Sequence, residues 1–108
     1  MSLQPVTTQT FDAQILGAAQ PVLVEFSAPW CGYCRRLAPV LEQMDGKPGM
    51  PPIFAADVDD SPALAQRYGV DTIPTLLLFQ GGAPGQPLVA PGAAAQIKSW
   101  LAAQGVQA

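Results

Sequence analysis

The sequence predicts an α/β fold with a mixed central β-sheet of four to five strands and helices on both faces. Three observations support this. Strand-like segments alternate with helical patterns through the first two thirds of the chain, an order that favours parallel pairing through right-handed crossovers. "VLVEFS", Val22–Ser27, lacks clean polar alternation, as in a strand buried on both faces. The late Gly81-Gly82 pair marks a turn and one antiparallel hairpin. The 108 residues suit a single domain, 1–108, able to bury a core without covalent staples.

In chain order, Val6–Thr8 predicts a short edge strand. Thr10 is placed to cap a helix from Phe11 to about Ala19, with Phe11, Ile15 and Leu16 on one face. After the Val22–Ser27 strand, Leu37, Val40, Leu41 and Met44 recur at helical spacing and predict a helix from about Cys31 to Asp45, kinked at Pro39. Ile53–Asp57 reads as a strand. Ser61 followed by Pro62 opens a short helix ending near Tyr68-Gly69. Thr75–Phe79 and Leu88–Ala90 read as the hairpin strands. Ala93 to about Gln104 is the last helix, with Ile97, Trp100 and Leu101 inward. The predicted order is β-α-β-α-β-α-β-β-α.

Composition narrows the function. Apolar residues make up 49% and the net charge is −3. The five basic residues are scattered apart from Arg35–Arg36, so nothing invites nucleic acid or an anionic membrane. The longest apolar run, Leu76–Phe79, is far too short to cross a bilayer. No charged segment followed by a long apolar stretch opens the chain, so a secretory signal is not expected. A chain already processed for the periplasm would read the same; the expected location is the cytoplasm. Glycine and proline gather at Gly46–Pro52, Gly81–Pro87 and Pro91-Gly92 as loops, not domain linkers.

The only two cysteines stand three apart in "FSAPWCGYCRRLAP". A zinc site needs four ligands, and with two thiols and no histidine only an oligomer sharing ligands could complete one. A purely structural crosslink over so short a loop stabilises by roughly 2 kcal/mol, against about 3 for a fifteen-residue loop. A redox pair fits the position better. Cys31 falls where a strand hands over to a helix, where free backbone N–H groups and the helix dipole favour a thiolate. Arg35 and Arg36 add positive charge, or simply form a solvated helix face. Cys34, one turn on, would turn inward. An exposed attacker with a shielded resolving thiol is what disulfide exchange requires.

"WCGYC" after "VEFSAP", with "YGVDTIPTLLLF" about forty residues later, resembles the thioredoxin family over nearly the whole chain from Phe11. The resemblance implies a thioredoxin fold with a cis Ile73–Pro74 peptide and Pro74 facing the cysteines. It implies a docking groove of Trp30, Gly32, Tyr33, Thr72, Ile73, Pro74, Val89 and Ala90, in which the Ile73 backbone pairs with an extended substrate segment. The implied activity is protein disulfide reduction: Cys31 attacks a substrate disulfide, and Cys34 resolves the mixed disulfide. A reductase partner with flavin and NADPH would restore the dithiol. No cofactor and no metal are implied for this chain, which is expected to be a monomer.

Glu25 interrupts "VLVEF". A carboxyl in so apolar a strand must be paired or neutral, and desolvation should raise its pKa well above about 4.3. That makes it a proton-relay candidate beside the thiols, or a structural acid bonded to backbone. The resemblance agrees, although the family usually carries the shorter Asp here, and Ala55 stands where a lysine often accompanies it. Other departures are Tyr33 for the usual proline between the cysteines, Ser27 for a second tryptophan, and Val89-Ala90-Pro91 for a Val-Gly-Ala loop. Losing the proline should give a less strongly reducing pair. An oxidase or isomerase, a groove-binding adaptor without turnover, and a shared-ligand metal or iron–sulfur carrier are the rival readings. "ADVDD", Ala56–Asp60, reads as a solvated strand end, and Trp100 as core packing.

Overall fold

The computed structural model describes residues 3–106; residues 1, 2, 107 and 108 of the expected single domain lie outside the described part. The strands are β1 (Gln4–Pro5), β2 (Val22–Ser27), β3 (Ile53–Asp57), β4 (Thr75–Gln80), β5 (Ala83–Pro84) and β6 (Leu88–Val89), and the helices α1 (Gly32–Met44), α2 (Pro62–Arg67) and α3 (Ala94–Ala103). They form one mixed sheet in the order β1-β3-β2-β4-β5, with β6 also on β4. β3 runs parallel to β1 and β2, whereas β4 runs antiparallel to β2, β5 and β6. Since β2 occupies one edge of β4, β5 and β6 share the other. They act as two halves of one edge strand, interrupted at Gly85–Pro87.

The alternation of β2 divides the core. Val22, Val24 and Phe26 join Phe11, Ile15 and Leu64 on one face, while Leu23 joins Leu37, Leu41, Ile97 and Leu101 on the other. Hence α1 and α3 cover one side, and α2 and the first helical turn cover the opposite one. β2 is buried on both faces, as its apolar run predicts. Its carboxyl end leads straight into the α1 start, at the edge of an α/β sheet where ligand sites usually form.

Five local expectations are corrected. The first strand lies at Gln4–Pro5, upstream of Val6–Thr8; pairing with Phe54 and Ala55 outweighs the β-propensity of Val6 and the threonines. The helix expected over Phe11–Ala19 is one π-helical turn, Asp12–Leu16, closed by Gly17 N–H donating to the Asp12 carbonyl at 2.9 Å. Thr10 does not cap it; its hydroxyl accepts from the Thr7 N–H at 3.0 Å. Ser61 sits before Pro62 as expected, but its hydroxyl accepts from the Thr8 N–H at 3.2 Å instead of capping α2. The last strand ends at Val89 because Ala90 takes a φ of 48°, outside the β region. α1 continues through Pro39.

Candidate active site

Cys31 and Cys34 form a disulfide across the first turn of α1. Cys31 is the N-cap with an extended backbone, and its Sγ accepts the Cys34 N–H at 3.1 Å. The sulfur therefore occupies the place of a capping oxygen, against free N–H groups at the positive end of a thirteen-residue helix. The expected contrast in exposure is absent from this oxidised state: Cys31 is 7% exposed and Cys34 5%. Both pack into a small cluster with Ala28, Val58 and Ile73, which shields Cys31 nearly as well as its partner.

The groove residues converge on the disulfide from three elements. Among the described residues, the large apolar side chains that remain exposed are Trp30 at 65%, Tyr33 at 36% and Val89 at 49%, and each belongs to the expected groove. Trp30 is held from outside by its Nε1–H, which donates to Asp59 Oδ2 at 2.6 Å. Tyr33 donates its hydroxyl to the Ala90 carbonyl at 2.8 Å. Ala90 in turn donates its N–H to the Pro74 carbonyl at 2.9 Å, and the Ile73–Pro74 peptide is cis. Pro74 is buried and Thr72 exposed, so the loop offers an open edge beside a closed floor. A Cβ on Gly32 would meet the Arg36 and Arg35 guanidiniums at 3.6 and 3.8 Å. Arg36 lies 5.3 Å from the Tyr33 ring, and Arg35 is tied to the Pro29 carbonyl at 2.8 Å.

Behind the pair lies the acid. Glu25 is 4% exposed, its Oε2 has no hydrogen-bond partner, and burial pushes its pKa from 4.5 up to about 7. It stands in register with Ala55 on β3 and Leu76 on β4, neither of which can neutralise it. A cleft of about 320 Å³ opens onto it, walled by Ser27, Ala28, Cys34, Ala38, Glu42, Ala55 and Asp57 among others. Glu25 and Cys34 therefore share one solvent-reachable space. Sequence reasoning placed Glu25 beside the thiols but not the cleft that both line, nor the Tyr33–Ala90 bond across the groove; the small residues at 27, 28, 38 and 55 were the cleft's only signal. Among the described residues no group of three or more metal-ligating side chains could hold an ion. In the acidic stretch Asp57 accepts the Asp59 N–H at 2.9 Å, as in an ordinary strand end. Trp100 packs at the edge of the α1–α3 core, and its Nε1–H donates to the Gln86 carbonyl at 2.8 Å.

Comparison with known proteins agrees with this geometry. The family model described as Thioredoxin matches residues 2–103. Similar proteins include the thioredoxin of Streptomyces clavuligerus, 48% identical over 80 residues covering 74% of this chain and 75% of the relative. The thioredoxin of Mycolicibacterium smegmatis is 43% identical over 97 residues, covering 86% and 87%. The bifunctional thioredoxin reductase/thioredoxin of Mycobacterium leprae is 42% identical over 95 residues, covering 86% of this chain and 21% of that longer protein.

Proposed function

This chain belongs to the thioredoxin family, and on that premise we propose how its own residues divide the work. The protein is a thioredoxin-type thiol–disulfide oxidoreductase, a protein disulfide reductase acting through the Cys31–Cys34 pair. The observation that carries the assignment of roles is the Cys31 sulfur accepting the Cys34 N–H at the start of α1. A thiolate there is stabilised by hydrogen bond and dipole, which makes Cys31 the attacker and also the better leaving group.

The Cys31 thiolate attacks one sulfur of a substrate disulfide. The substrate S–S bond breaks, a mixed disulfide forms, and the departing substrate thiolate takes a proton from solvent. Cys34 then gives its proton to Glu25 and attacks Cys31 Sγ. The second substrate thiolate leaves, and the oxidised pair is restored. The substrate has gained two electrons and the dithiol has lost two. Trp30, Tyr33, Val89 and the Thr72–Pro74 loop hold an extended substrate segment over Cys31, with the Ile73 backbone as its pairing edge.

Protein disulfides are the substrates, and a flavin- and NADPH-dependent reductase is the partner that restores the dithiol. The fusion named in the bifunctional mycobacterial relative supports that pairing. The chain itself would then need no cofactor, work as a monomer and reside in the cytoplasm. Cys34→Ser should accumulate covalent complexes through Cys31, and Cys31→Ser should not. Absence of trapping by Cys34→Ser would overturn these roles. Equilibration with glutathione, reading the dithiol fraction, separates a reductant from an oxidase or isomerase.

A further inference from the structure

We infer that Arg36 and the hollow beside Tyr33 form a specificity subsite for an acidic side chain, glutamate above all, carried by the substrate segment within about three residues of its cysteine. This deepens the reductase reading and rests on it. The chain has three guanidiniums, and they are engaged differently. Arg67 pairs with Asp12 at 3.1 Å, and Arg35 donates to the Pro29 carbonyl at 2.8 Å. Arg36 is exposed and makes no ion pair among the described residues. It is nevertheless positioned. Its Cζ stands 5.3 Å from the centre of the Tyr33 ring, and Tyr33 is itself tied to the Ala90 and Pro91 carbonyls at 2.8 and 3.2 Å. Positions 32 and 36 are neighbours on the helix surface, and the Arg36 Nη1 would lie 3.6 Å from a Cβ on Gly32. The positive charge therefore sits beside the residue that follows Cys31.

The hollow next to this charge has a volume of about 220 Å³, and Leu37, Val40, Pro91 and Gly92 complete its walls with Tyr33 and Arg36. None of these carries a carboxylate. The Tyr33 hydroxyl is already engaged, and the Gly92 N–H donates to Gln96 Oε1 at 2.7 Å, which leaves the guanidinium as the side-chain donor for a visitor. Apolar walls with a planar donor fork suit a side chain that has a short methylene stem and a carboxylate head. Glutamate has both; aspartate has one methylene less, and lysine brings a like charge. At Trp30 the groove carries the opposite sign, through Asp59 Oδ2 at 2.6 Å from the indole nitrogen.

The overall charge makes this inference sharp. The net charge is −3, so the field of the whole protein favours cationic peptides. A preference for an acidic peptide can then arise only from a local positive site. Lys47 supplies the comparison: it lies beyond the far end of α1, eleven positions after Arg36, or about 16 Å along a helix axis. That is about two screening lengths at physiological ionic strength. Reversing its charge changes the net charge as much as reversing Arg36 but leaves the subsite alone.

The test mixes the full chain, reduced, with disulfide-linked homodimers of a short peptide holding one cysteine. Glutamate, glutamine or lysine stands two positions before or two positions after that cysteine. Rates of peptide release are divided by those for the same peptides with dithiothreitol, which removes their intrinsic reactivity. In at least one placement the glutamate peptide should react about fivefold faster than the lysine peptide, the size expected when an exposed attraction replaces an exposed repulsion. The ratio should shrink toward one in high salt. Arg36→Glu should invert it, Arg36→Gln should bring it near one, and Lys47→Glu should leave it unchanged. Comparing two peptides on one protein cancels any effect of Arg36 on the Cys31 thiolate itself. A parent ratio of one or less in both placements overturns the subsite without any variant. So does a ratio indifferent to both Arg36 substitutions, or one moved equally by Lys47→Glu. Failure of the parent to reduce even the glutamine peptide would instead sink the reductase reading beneath it.

Discussion

The Tyr33 hydroxyl donates to the Ala90 carbonyl at 2.8 Å, across 57 positions of sequence. With Ala90 N–H on the Pro74 carbonyl at 2.9 Å, it ties the start of α1, the cis-proline loop and the end of β6 into one frame around the disulfide. The groove is thus held open before a substrate arrives, which lowers the ordering cost of docking.

Tyr33→Phe keeps the ring and its contact with Arg36 but removes this bond. A single hydrogen bond of this kind contributes about 0.5–1.5 kcal/mol, toward the low end when exposed. Stability should fall by about 0.5 kcal/mol in urea unfolding. KM for a protein disulfide should rise about two- to fivefold with kcat nearly constant, the mark of lost groove order and not of altered chemistry. An unchanged KM would refute the frame.

Tyr33→Pro acts on the pair itself. Proline presets φ at the first turn of the helix, which favours the closed disulfide turn over the dithiol and makes the dithiol the readier electron donor. The variant should be the stronger reductant in glutathione equilibration, each ~30 mV corresponding to about 1.4 kcal/mol. A potential that stays put or rises contradicts the expectation that the Gly-Tyr pair is the weaker reductant.

Ala90 holds a φ of 48°, where an L side chain costs about 1–2 kcal/mol and glycine nothing. Glycine also adds unfolded-state entropy worth about 0.4–1 kcal/mol. The difference leaves Ala90→Gly more stable by about 0.5 kcal/mol, and the β-branched Ala90→Val less stable by more than 1 kcal/mol. Chemical denaturation of the two variants should bracket the parent; the reverse order would mean the left-handed backbone is not maintained in solution.

What the sequence made legible was decided by burial. Val22–Ser27 and Ile53–Asp57 match the structure to the residue, since long-range pairing and apolar pattern point the same way. The α1 boundaries follow equally from the Leu37, Leu41 and Met44 stripe and from the strand that precedes it. The first twenty residues were harder. Thr7 and Thr10 bond to each other, so the residue that looked like a helix cap serves a turn. The site divided similarly: the cysteines and Glu25 were readable from local chemistry, and Pro74 only through the family resemblance. The cleft was not, because it is a space left by small residues on separate elements, and the Tyr33–Ala90 bond was not, because nothing local announces it.

Phe11 shows how much that short N-terminal turn matters. Its ring is fully buried and lies 5.5 Å from Tyr68 and 5.4 Å from Phe79, the latter edge-on. Removing such a ring costs about 3–5 kcal/mol through lost burial and the cavity left behind. Phe11→Ala should lose that much in urea unfolding, whereas Phe11→Leu should lose less than half of it. A cost under 1 kcal/mol for Phe11→Ala would mean the turn is not packed on the sheet.

Glu25 gives the sharpest pH signature. Its pKa rises from 4.5 to about 7 through burial. Below the lower value both folded and unfolded chains are protonated, and stability is full. Between the two the folded chain keeps a proton the unfolded chain has released, so stability falls as pH rises; above about 7 the loss is complete. The gap corresponds to roughly 3 kcal/mol. Glu25→Gln cannot ionise, and its unfolding free energy should lose this slope when measured between pH 5 and 8. The same variant should slow release of the mixed disulfide at pH 7 by about a hundredfold, at the low end for loss of a general base. A parent protein whose stability is flat across that range would show that Glu25 ionises freely, and would remove it from the proton path.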